Sequence, residues 1–350
     1  MQMKICFVLN DIENESSGTS VALMTMAHQR GHEVFAMGVG DFTFHHDAPI
    51  SINATQVPKD TKTKSPSKYL EALQGSKARK KKIDSTSLDV VFIRNNPTEE
   101  KGRQWAEQAG VAFGRMVQQQ GVMVLNDAYA LSHAFIDKLY FEELPQEIKP
   151  DSIITRDKDQ LLDFWEKQNK KMVLKPLEGS GGQDVFLIDK NEKNVNQIID
   201  HLSSQGYVIA QEFLPAVKDG DVRVLLLNGK VMEKDGKKAI IRRVSGEGEF
   251  RSNFKLGATA DSSDLTPAMQ KIVNLTAPKL IRDGLFFVGL DIVKDKLIEI
   301  NVLSPGGMER FKDIGLPPFT DYVIEAIERK LEYKKQYAGT LSNRTLATMD

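Results

Sequence analysis

Val173-Leu174-Lys175-Pro176-Leu177-Glu178-Gly179-Ser180-Gly181-Gly182 sets a lysine at the end of an apolar run and follows it with a glycine-rich turn. Glycine has no Cβ, so backbone N–H groups can approach phosphate oxygens closely, and the Lys175 ammonium adds a point charge beside them. This is not a Walker loop, because the lysine precedes the glycines. Taken alone, Gly179, Ser180, Gly181 and Gly182 also fit a plain flexible turn between strands at 172–174 and 184–188.

The residues around this loop add three more signals. Gly289-Leu290-Asp291-Ile292-Val293 and Leu297-Ile298-Glu299-Ile300-Asn301 read as two strands joined by a tight turn at Lys294-Asp295-Lys296. Glu299 and Asn301 are two apart and point to one face. Asp291, Glu299 and Asn301 are hard oxygen ligands suited to Mg²⁺ that substrate phosphates also hold. The wet face of a hairpin is the other reading, though an unpaired carboxylate among Leu, Ile and Val is costly. Gln211-Glu212-Phe213-Leu214-Pro215 leaves a strand and precedes Lys218-Asp219-Gly220-Asp221-Val222-Arg223. A hinge backbone with apolar flanks can read adenine, and an acidic side chain beyond it can bind ribose hydroxyls. Arg242-Arg243 and Arg251-Ser252-Asn253 bracket a loop at 245–250. Arginines at strand ends suit carboxylate or phosphate, and surface charge on a hairpin fits the same pattern.

Further out, the N-terminal third alternates differently. Residues 3–9 read as a buried strand, 21–30 as an amphipathic helix stopped by Gly31, and 33–37 as a second strand, an order that predicts parallel sheet. The polar stretch 57–82 predicts a long exposed loop with a short helix near 69–73. Its run Lys77-Ala78-Arg79-Lys80-Lys81-Lys82 reads as a solvated charge run. A strand at 88–93, a helix to about 119 and a strand at 122–125 follow. Strands are expected at 152–155 and 207–210, and helices at 158–168 and 194–202. Asn228-Gly229 and Asp235-Gly236 predict hairpins, so the later half holds antiparallel sheet. Helices at 267–283 and 320–333 and a loose tail after Gly339 complete the chain. The expected division is 1–127, 128–210, 211–335 and a tail at 336–350.

Length and charge narrow the function classes. With 350 residues the chain has room for two or three subdomains. A net charge of -1 gives no global field toward nucleic acid or anionic lipid, so no nucleic-acid or membrane partner is expected, and acidic substrates need local Lys, Arg or metal. Cys6, the single cysteine, lies in an apolar run and reads as a buried, inert thiol. No signal-peptide pattern and no membrane-length apolar stretch is present, so a cytoplasmic location is expected. His45-His46 lacks zinc-ligand spacing, and Ser180 is not in a nucleophile elbow.

In this order, Lys-Pro-Leu-x-Gly-x-Gly-Gly, Gln-x-x-Leu-Pro with Lys-Asp-Gly-Asp-x-Arg, Arg-x-Asn, Val-Gly-Leu-Asp and Glu-Ile-Asn-Val-x-Ser-Pro resemble the bacterial glutathione synthetases of the ATP-grasp superfamily. The resemblance implies an α/β ATP-grasp fold: an N-terminal parallel-sheet, Rossmann-like domain and two α+β subdomains clasping ATP. It implies that Lys138 and Lys175 contact ATP phosphates and that the Gly179–Gly182 loop closes over them. Gln211, Glu212, Phe213 and Leu214 would line the adenine pocket, and Asp221 would hold ribose. Arg223, Arg243 and Asn253 would face the transferred phosphate and the acyl substrate. Asp291, Glu299 and Asn301 would bind two Mg²⁺ ions, with Mn²⁺ as a substitute, and Ser304 and Arg251 would meet the peptide. The implied reaction joins γ-glutamylcysteine to glycine through an acyl phosphate, in a homo-oligomer. The alternatives are another ATP-grasp carboxylate–amine ligase and a nucleotide-binding regulatory protein without turnover. Three departures bear on the peptide. The family often has Arg-Lys-Asp-Pro-Pro where this chain has Arg94-Asn95-Asn96-Pro97-Thr98. Gly306-Gly307 follows Ser304-Pro305, and extra sequence surrounds 234–238.

Overall fold

The computed structural model describes residues 2–100, 102–134, 137–178, 183–246 and 257–350. The first sheet contains β1 (Lys4–Leu9), β2 (Glu33–Gly38), β3 (Phe42–Thr43), β4 (Ser51–Gln56), β5 (Arg79–Asp84), β6 (Val90–Ile93) and β7 (Met123–Leu125). Its order is β3-β4-β2-β1-β6-β7, with β5 on β4, and β1 runs parallel to both β2 and β6. These central strands are covered on both faces, which is why they read as unbroken apolar runs. The chain leaves β1 for β2 on one side and returns to β6 on the other. A crevice therefore opens at the carboxyl ends of β1 and β6, where such sheets bind ligands. The helices of this region are α1 (Thr19–Gln29), α2 (Pro66–Gln74), α3 (Gln104–Glu107) and α4 (Ala109–Gln119).

After α5 (Ala128–His133) and α6 (Asp137–Glu142) comes a four-stranded sheet of order β10-β9-β11-β8. Its strands are β8 (Ser152–Thr155), β9 (Met172–Pro176), β10 (Phe186–Ile188) and β11 (Val208–Glu212). They pack on α7 (Lys158–Lys167) and α8 (Val195–Gln205). Leu161, Phe164, Leu174, Ile188, Ile199 and Leu202 form a core belonging to this unit alone.

The third sheet holds β12 (Asp221–Leu227), β13 (Lys230–Val231), β16 (Ile240–Val244), β17 (Thr259–Asp261), β18 (Phe287–Val293) and β19 (Lys296–Asn301), and β14 (Glu233–Lys234) and β15 (Lys237–Lys238) form a small separate hairpin. α9 (Pro267–Arg282), α10 (Thr320–Gln336) and α11 (Asn343–Thr348) complete the chain. The first and third sheets share their interior: Val8 and Ile93 lie in one cluster with Val224 and Ile292, and Phe7 and Phe92 in another with Phe286 and Phe287. A fully buried side chain of this size contributes about 1.5–3 kcal/mol over an exposed one, so the two sheets are held as one body. Asn126 fastens them further, donating to the Phe287 and Val302 carbonyls at 3.0 and 2.6 Å and accepting from Phe287 N–H at 2.8 Å.

Three expectations from sequence change. The stretch 57–82 holds the expected short helix, α2, capped by Ser65, but Arg79–Asp84, expected in the loop, pairs along all of β4 as an edge strand. Only Ile83 of β5 is buried, so its polarity hid a strand whose lysines guard an exposed edge. The helix expected after residue 93 is broken into α3 and α4. The tail is not loose, because Leu346 and Ala347 are buried, and the Asn343 amide accepts from Val124 N–H and donates to Val124 O at 2.8 and 2.9 Å, pairing with β7 as a neighbouring strand would.

Candidate functional site

A cleft of about 470 Å³ lies where the three sheets meet. On the side of the four-stranded sheet it is lined by Lys138, Lys175, Gln211, Glu212, Phe213 and Leu214, with Val173, Val185 and Ile209 supplying an apolar wall. Lys175 leaves β9 beside β11, and its Nζ donates to Gln211 Oε1 at 3.1 Å. Lys138 Nζ donates to the Pro176 carbonyl at 2.6 Å, so both ammonium groups converge on the end of β9. Glu212 is fixed by two bonds with Asp151: its N–H donates to the Asp151 carbonyl at 2.8 Å, and its Oε2 accepts from Asp151 N–H at 3.2 Å. Lys171 sits 4.2 Å from the Phe213 ring centroid. Gly179, Ser180, Gly181 and Gly182, and likewise Arg251 and Asn253, lie outside the described residues.

The opposite wall comes from the third sheet. Antiparallel register places Asp221 opposite Arg243, Arg223 opposite Asp291, Asp291 opposite Glu299 and Gly289 opposite Asn301. Asp291 is 0% exposed. Its Oδ1 accepts from Arg223 Nε at 2.7 Å, and its Oδ2 takes Arg223 Nη2 at 2.6 Å, Arg243 Nη2 at 2.8 Å and Asn301 Nδ2 at 3.3 Å. A carboxylate offers about four lone-pair sites, so Asp291 is filled. Asp221 accepts from the same Arg243, at 2.6 and 2.8 Å. Burial pushes the Asp291 carboxyl up, but Arg223 and Arg243 together outweigh it and hold the group well below the carboxylate range. Burial pushes Asp221 up to about 6, against Arg243 and with help from the Asp291 charge. Two carboxylates thus share Arg243, and the like charges drive their ionisations apart.

Two residues expected as ligands sit in this cluster. Asp221, read as a ribose ligand, is engaged on both oxygens by Arg243. Asp291, read as a metal ligand, is engaged by two arginines, while Glu299 and Asn301 line the cleft. Among the described residues no group of three His, Cys, Asp or Glu side chains comes together as a metal site. The donor set still fits Mg²⁺, which binds through one or two carboxylates and completes its shell with water and phosphate oxygens. Glu299 and Asn301 bring a carboxylate and an amide oxygen of that type to the cleft.

The third side was foreseen only in part: Ser304 with the turn after it, and the Arg94–Thr98 stretch, were expected to bear on the peptide, whereas the residues after β1 were not named. Asn10, Glu15, Ser16, Gly18, Thr19 and Ser20 follow β1, and Arg94, Asn96 and Glu99 follow β6, all lining the cleft. Ser304, Gly306, Gly307 and Glu309 face them from the segment after β19. The available signal was strand order: β1 and β6 flank the crevice, so residues just past their carboxyl ends reach a ligand. The extra residues at 234–238 do not line the cleft: Lys234 pairs with Asp321, and Lys237 donates to the Gly315 carbonyl. Cys6 is buried, and burial, with Asp41 near, pushes its thiol far up, which suits an inert side chain.

The architecture and this cleft match known proteins. Residues 3–131 match the family model described as prokaryotic glutathione synthetase, N-terminal domain, and residues 137–315 the one described as prokaryotic glutathione synthetase, ATP-grasp domain. The chain belongs to the prokaryotic glutathione synthetase family. It is 30% identical over 336 residues to a glutathione synthetase of Vibrio vulnificus strain YJ016, covering 95% of this chain and 99% of that one. It is 29% identical over 335 residues to a glutathione synthetase of Escherichia coli K12, covering 94% and 99%. In fold it resembles the D-cycloserine synthetase DcsG, with a TM-score of 0.61 at 13% identity over 94% of this chain and 100% of that one. It also resembles the ATP-grasp ligase PsnB, solved with a phosphomimetic variant of its minimal precursor, Mg and ADP. That TM-score is 0.57 at 16% identity, over 93% and 99%. The chain is accordingly an ATP-grasp protein and a glutathione synthetase-like, ATP-dependent ligase. Among the described residues no helix is long and apolar enough to cross a membrane.

Proposed function

We propose that the chain joins γ-glutamylcysteine to glycine, with ATP activating the dipeptide's carboxylate as an acyl phosphate. The observation that carries this reading is one cleft lined from three sides: Lys138 and Lys175 on one, Arg223, Arg243, Glu299 and Asn301 on the second, and the residues after β1 and β6 on the third. The apolar wall of Val173, Val185 and Ile209 suits an adenine, with Glu212, Phe213 and Leu214 at the hinge and Glu212 as the acidic group better placed for ribose hydroxyls than Asp221. Lys138 and Lys175 hold the phosphate chain. Glu299 and Asn301, with Asp291 if it exchanges an arginine for metal, would hold one or two Mg²⁺ ions, which would neutralise the charge that develops on the phosphates.

Arg223 and Arg243 are oriented by Asp291 and Asp221, and we assign their remaining N–H groups to the transferred phosphoryl group and the acyl carboxylate. A carboxylate oxygen forms a bond to the terminal phosphorus as its bond to ADP breaks. The amine of glycine then attacks the acyl carbon, phosphate leaves with the C–O electron pair, and the ammonium proton passes to solvent. Positioning and charge neutralisation supply most of the acceleration, and no enzyme nucleophile is required. The unit of β8–β11, α7 and α8 has its own core, and we assign it as the lid that closes on the nucleotide, beginning at β8 because α5 and α6 pack into the core of the other two sheets. Arg251, Asn253 and Gly179–Gly182 keep their proposed roles at the acyl group and the phosphates. An ADP-release screen across dipeptide donors and amino-acid acceptors tests the assignment. Release that depends on γ-glutamylcysteine and glycine together supports it. Nucleotide binding without release under any pair would instead favour a regulatory protein.

A further inference from the structure

β5 carries Arg79-Lys80-Lys81-Lys82, and none of the four lines the cleft. All four are exposed, and strand alternation sets Arg79 and Lys81 on one face and Lys80 and Lys82 on the other. Lysine is a poor strand former, and neighbouring cations repel one another. The run nevertheless pairs along the whole of β4. Its cross-strand neighbours there, Gln56, Thr55, Ala54 and Asn53, carry no charge. Among the described residues none of the four cations makes an ion pair.

The surroundings add to this charge. Residues 59–84 hold nine Lys and Arg against three Asp and Glu, in a chain whose net charge is -1. All nine cations are exposed. The result is a local basic strip on an otherwise acidic molecule. β5 also pairs with β4 alone, so the N–H and C=O groups along its outer side meet no other strand among the described residues. Guarding an edge against self-pairing accounts for lysine on it. It accounts for neither the length of the run nor the cations that flank it.

Open backbone and positive side chains on both faces coincide on one strand. An extended acidic segment answers both. Its main chain bonds to the edge, and its carboxylates stand on strand positions about 5 Å from those of Arg79–Lys82. Other polyanions answer only the charge. Single-stranded nucleic acid is gripped by stacking on aromatic rings, and Tyr69, the one aromatic ring between 57 and 84, is buried. A lipid surface takes apolar anchors beside the cations, and none of the large exposed apolar side chains among the described residues lies between 57 and 84. A second copy pairing edge to edge sets lysines against lysines.

We propose that β5 is a docking edge for an acidic, extended peptide segment of another protein, which adds as a strand beside it and neutralises Arg79, Lys80, Lys81 and Lys82. The inference stands apart from the ligase reading and does not depend on it.

The test is fluorescence anisotropy at low salt with the dye-labelled peptide Thr-Val-Glu-Asp-Glu-Asp-Val-Thr. Two further peptides carry methyl groups on every second backbone nitrogen, one in each frame. Both keep every charge, but only one frame leaves free the N–H groups that face the strand edge. Binding is expected to weaken at least about tenfold in one frame and less than about threefold in the other. The double variant Lys80→Glu, Lys82→Glu should keep the wild-type melting profile, because both side chains lie in water. It is expected to bind the acidic peptide at least about tenfold more weakly and to gain binding of a peptide with Lys in place of Glu and Asp. Absence of binding by the acidic peptide overturns the proposal. Equal binding of both methylated frames and the parent peptide also overturns it, leaving charge attraction without strand addition. Tighter binding of oligothymidylate or of phosphatidylserine vesicles than of the peptide assigns the strip to those polyanions instead. A fall in the protein's own sedimentation mass in the double variant assigns it to a second copy. The methylated peptides need no variant, so they decide even where the double variant does not fold.

Discussion

Asp291→Asn tests the charge cluster at its centre. The wild-type carboxylate neutralises Arg223 and shares Arg243 with Asp221. The amide removes that charge from a group with 0% exposure and leaves two arginines facing one carboxylate. Removing one partner from a buried ion pair costs about 3–5 kcal/mol. For a chain of 350 residues unfolding as one unit, an unfolding entropy near 2.1 cal/mol/K per residue converts this to a fall in Tm of about 4–7 °C. Glu299→Gln provides the contrast. Glu299 lines the cleft, so its amide is expected to move Tm by under about 1 °C. Both variants should lose Mg²⁺-dependent ADP release, because each gives up a charged oxygen ligand. Calorimetry or circular dichroism melts read the first effect and steady-state ADP release the second. Asp291→Asn combined with Arg223→Met should recover part of the lost stability, since the unpaired guanidinium is then gone. An unchanged Tm in Asp291→Asn would refute the clamp. A normal rate and metal requirement in Glu299→Gln would refute the metal assignment.

Two further outcomes follow from the same geometry. Lys175→Met should retain the wild-type melting profile while ATP binding by calorimetry weakens at least about 100-fold, because the ammonium at the end of β9 is removed without disturbing a packed core; near-normal turnover would end its phosphate role. Lys330 is buried under Phe286 and donates to Asn228 Oδ1 and the Met349 carbonyl, and burial pushes its ammonium down to about 7. Between that value and the ordinary lysine range the unfolded chain holds one proton more than the folded one, so stability should rise as pH goes from about 7 toward about 10. Melts of Lys330→Met across that window should lack the rise, and an identical pH profile would refute the shift.

How much of this was legible in the sequence depends on whether a feature is local or a matter of register. The β18–β19 hairpin was readable because apolar alternation, a tight turn and three oxygen donors lie within a dozen positions. The engagement of Asp291 by Arg223 and Arg243 was not, since strand pairing brings together residues dozens of positions apart, and no local pattern encodes that register. β5 escaped because an edge strand takes its hydrogen bonds from the backbone while its lysines stay in water. α11 escaped because its anchors, Asn343 and Leu346, are two residues in a polar tail. Arg94 was visible as a letter after a strand, but its place in the cleft comes from β6 lying beside β1, a fact of topology. Lys175 and the hinge at 211–214 were legible because a strand end followed by a turn projects its side chains predictably, whereas Lys138, on α6, was expected only from the family resemblance.

Oxygen transfer from the donor carboxylate tests the central claim most directly. γ-Glutamylcysteine labelled with oxygen-18 in its glycine-accepting carboxylate is converted with ATP, Mg²⁺ and glycine in unlabelled water, and the released phosphate is analysed by mass. A carboxylate that attacks the terminal phosphorus, and whose acyl carbon is then taken by an amine, must leave one of its oxygens on phosphate. The account therefore predicts ADP together with phosphate carrying one labelled atom per peptide formed. Unlabelled phosphate, or label appearing in AMP, would contradict it.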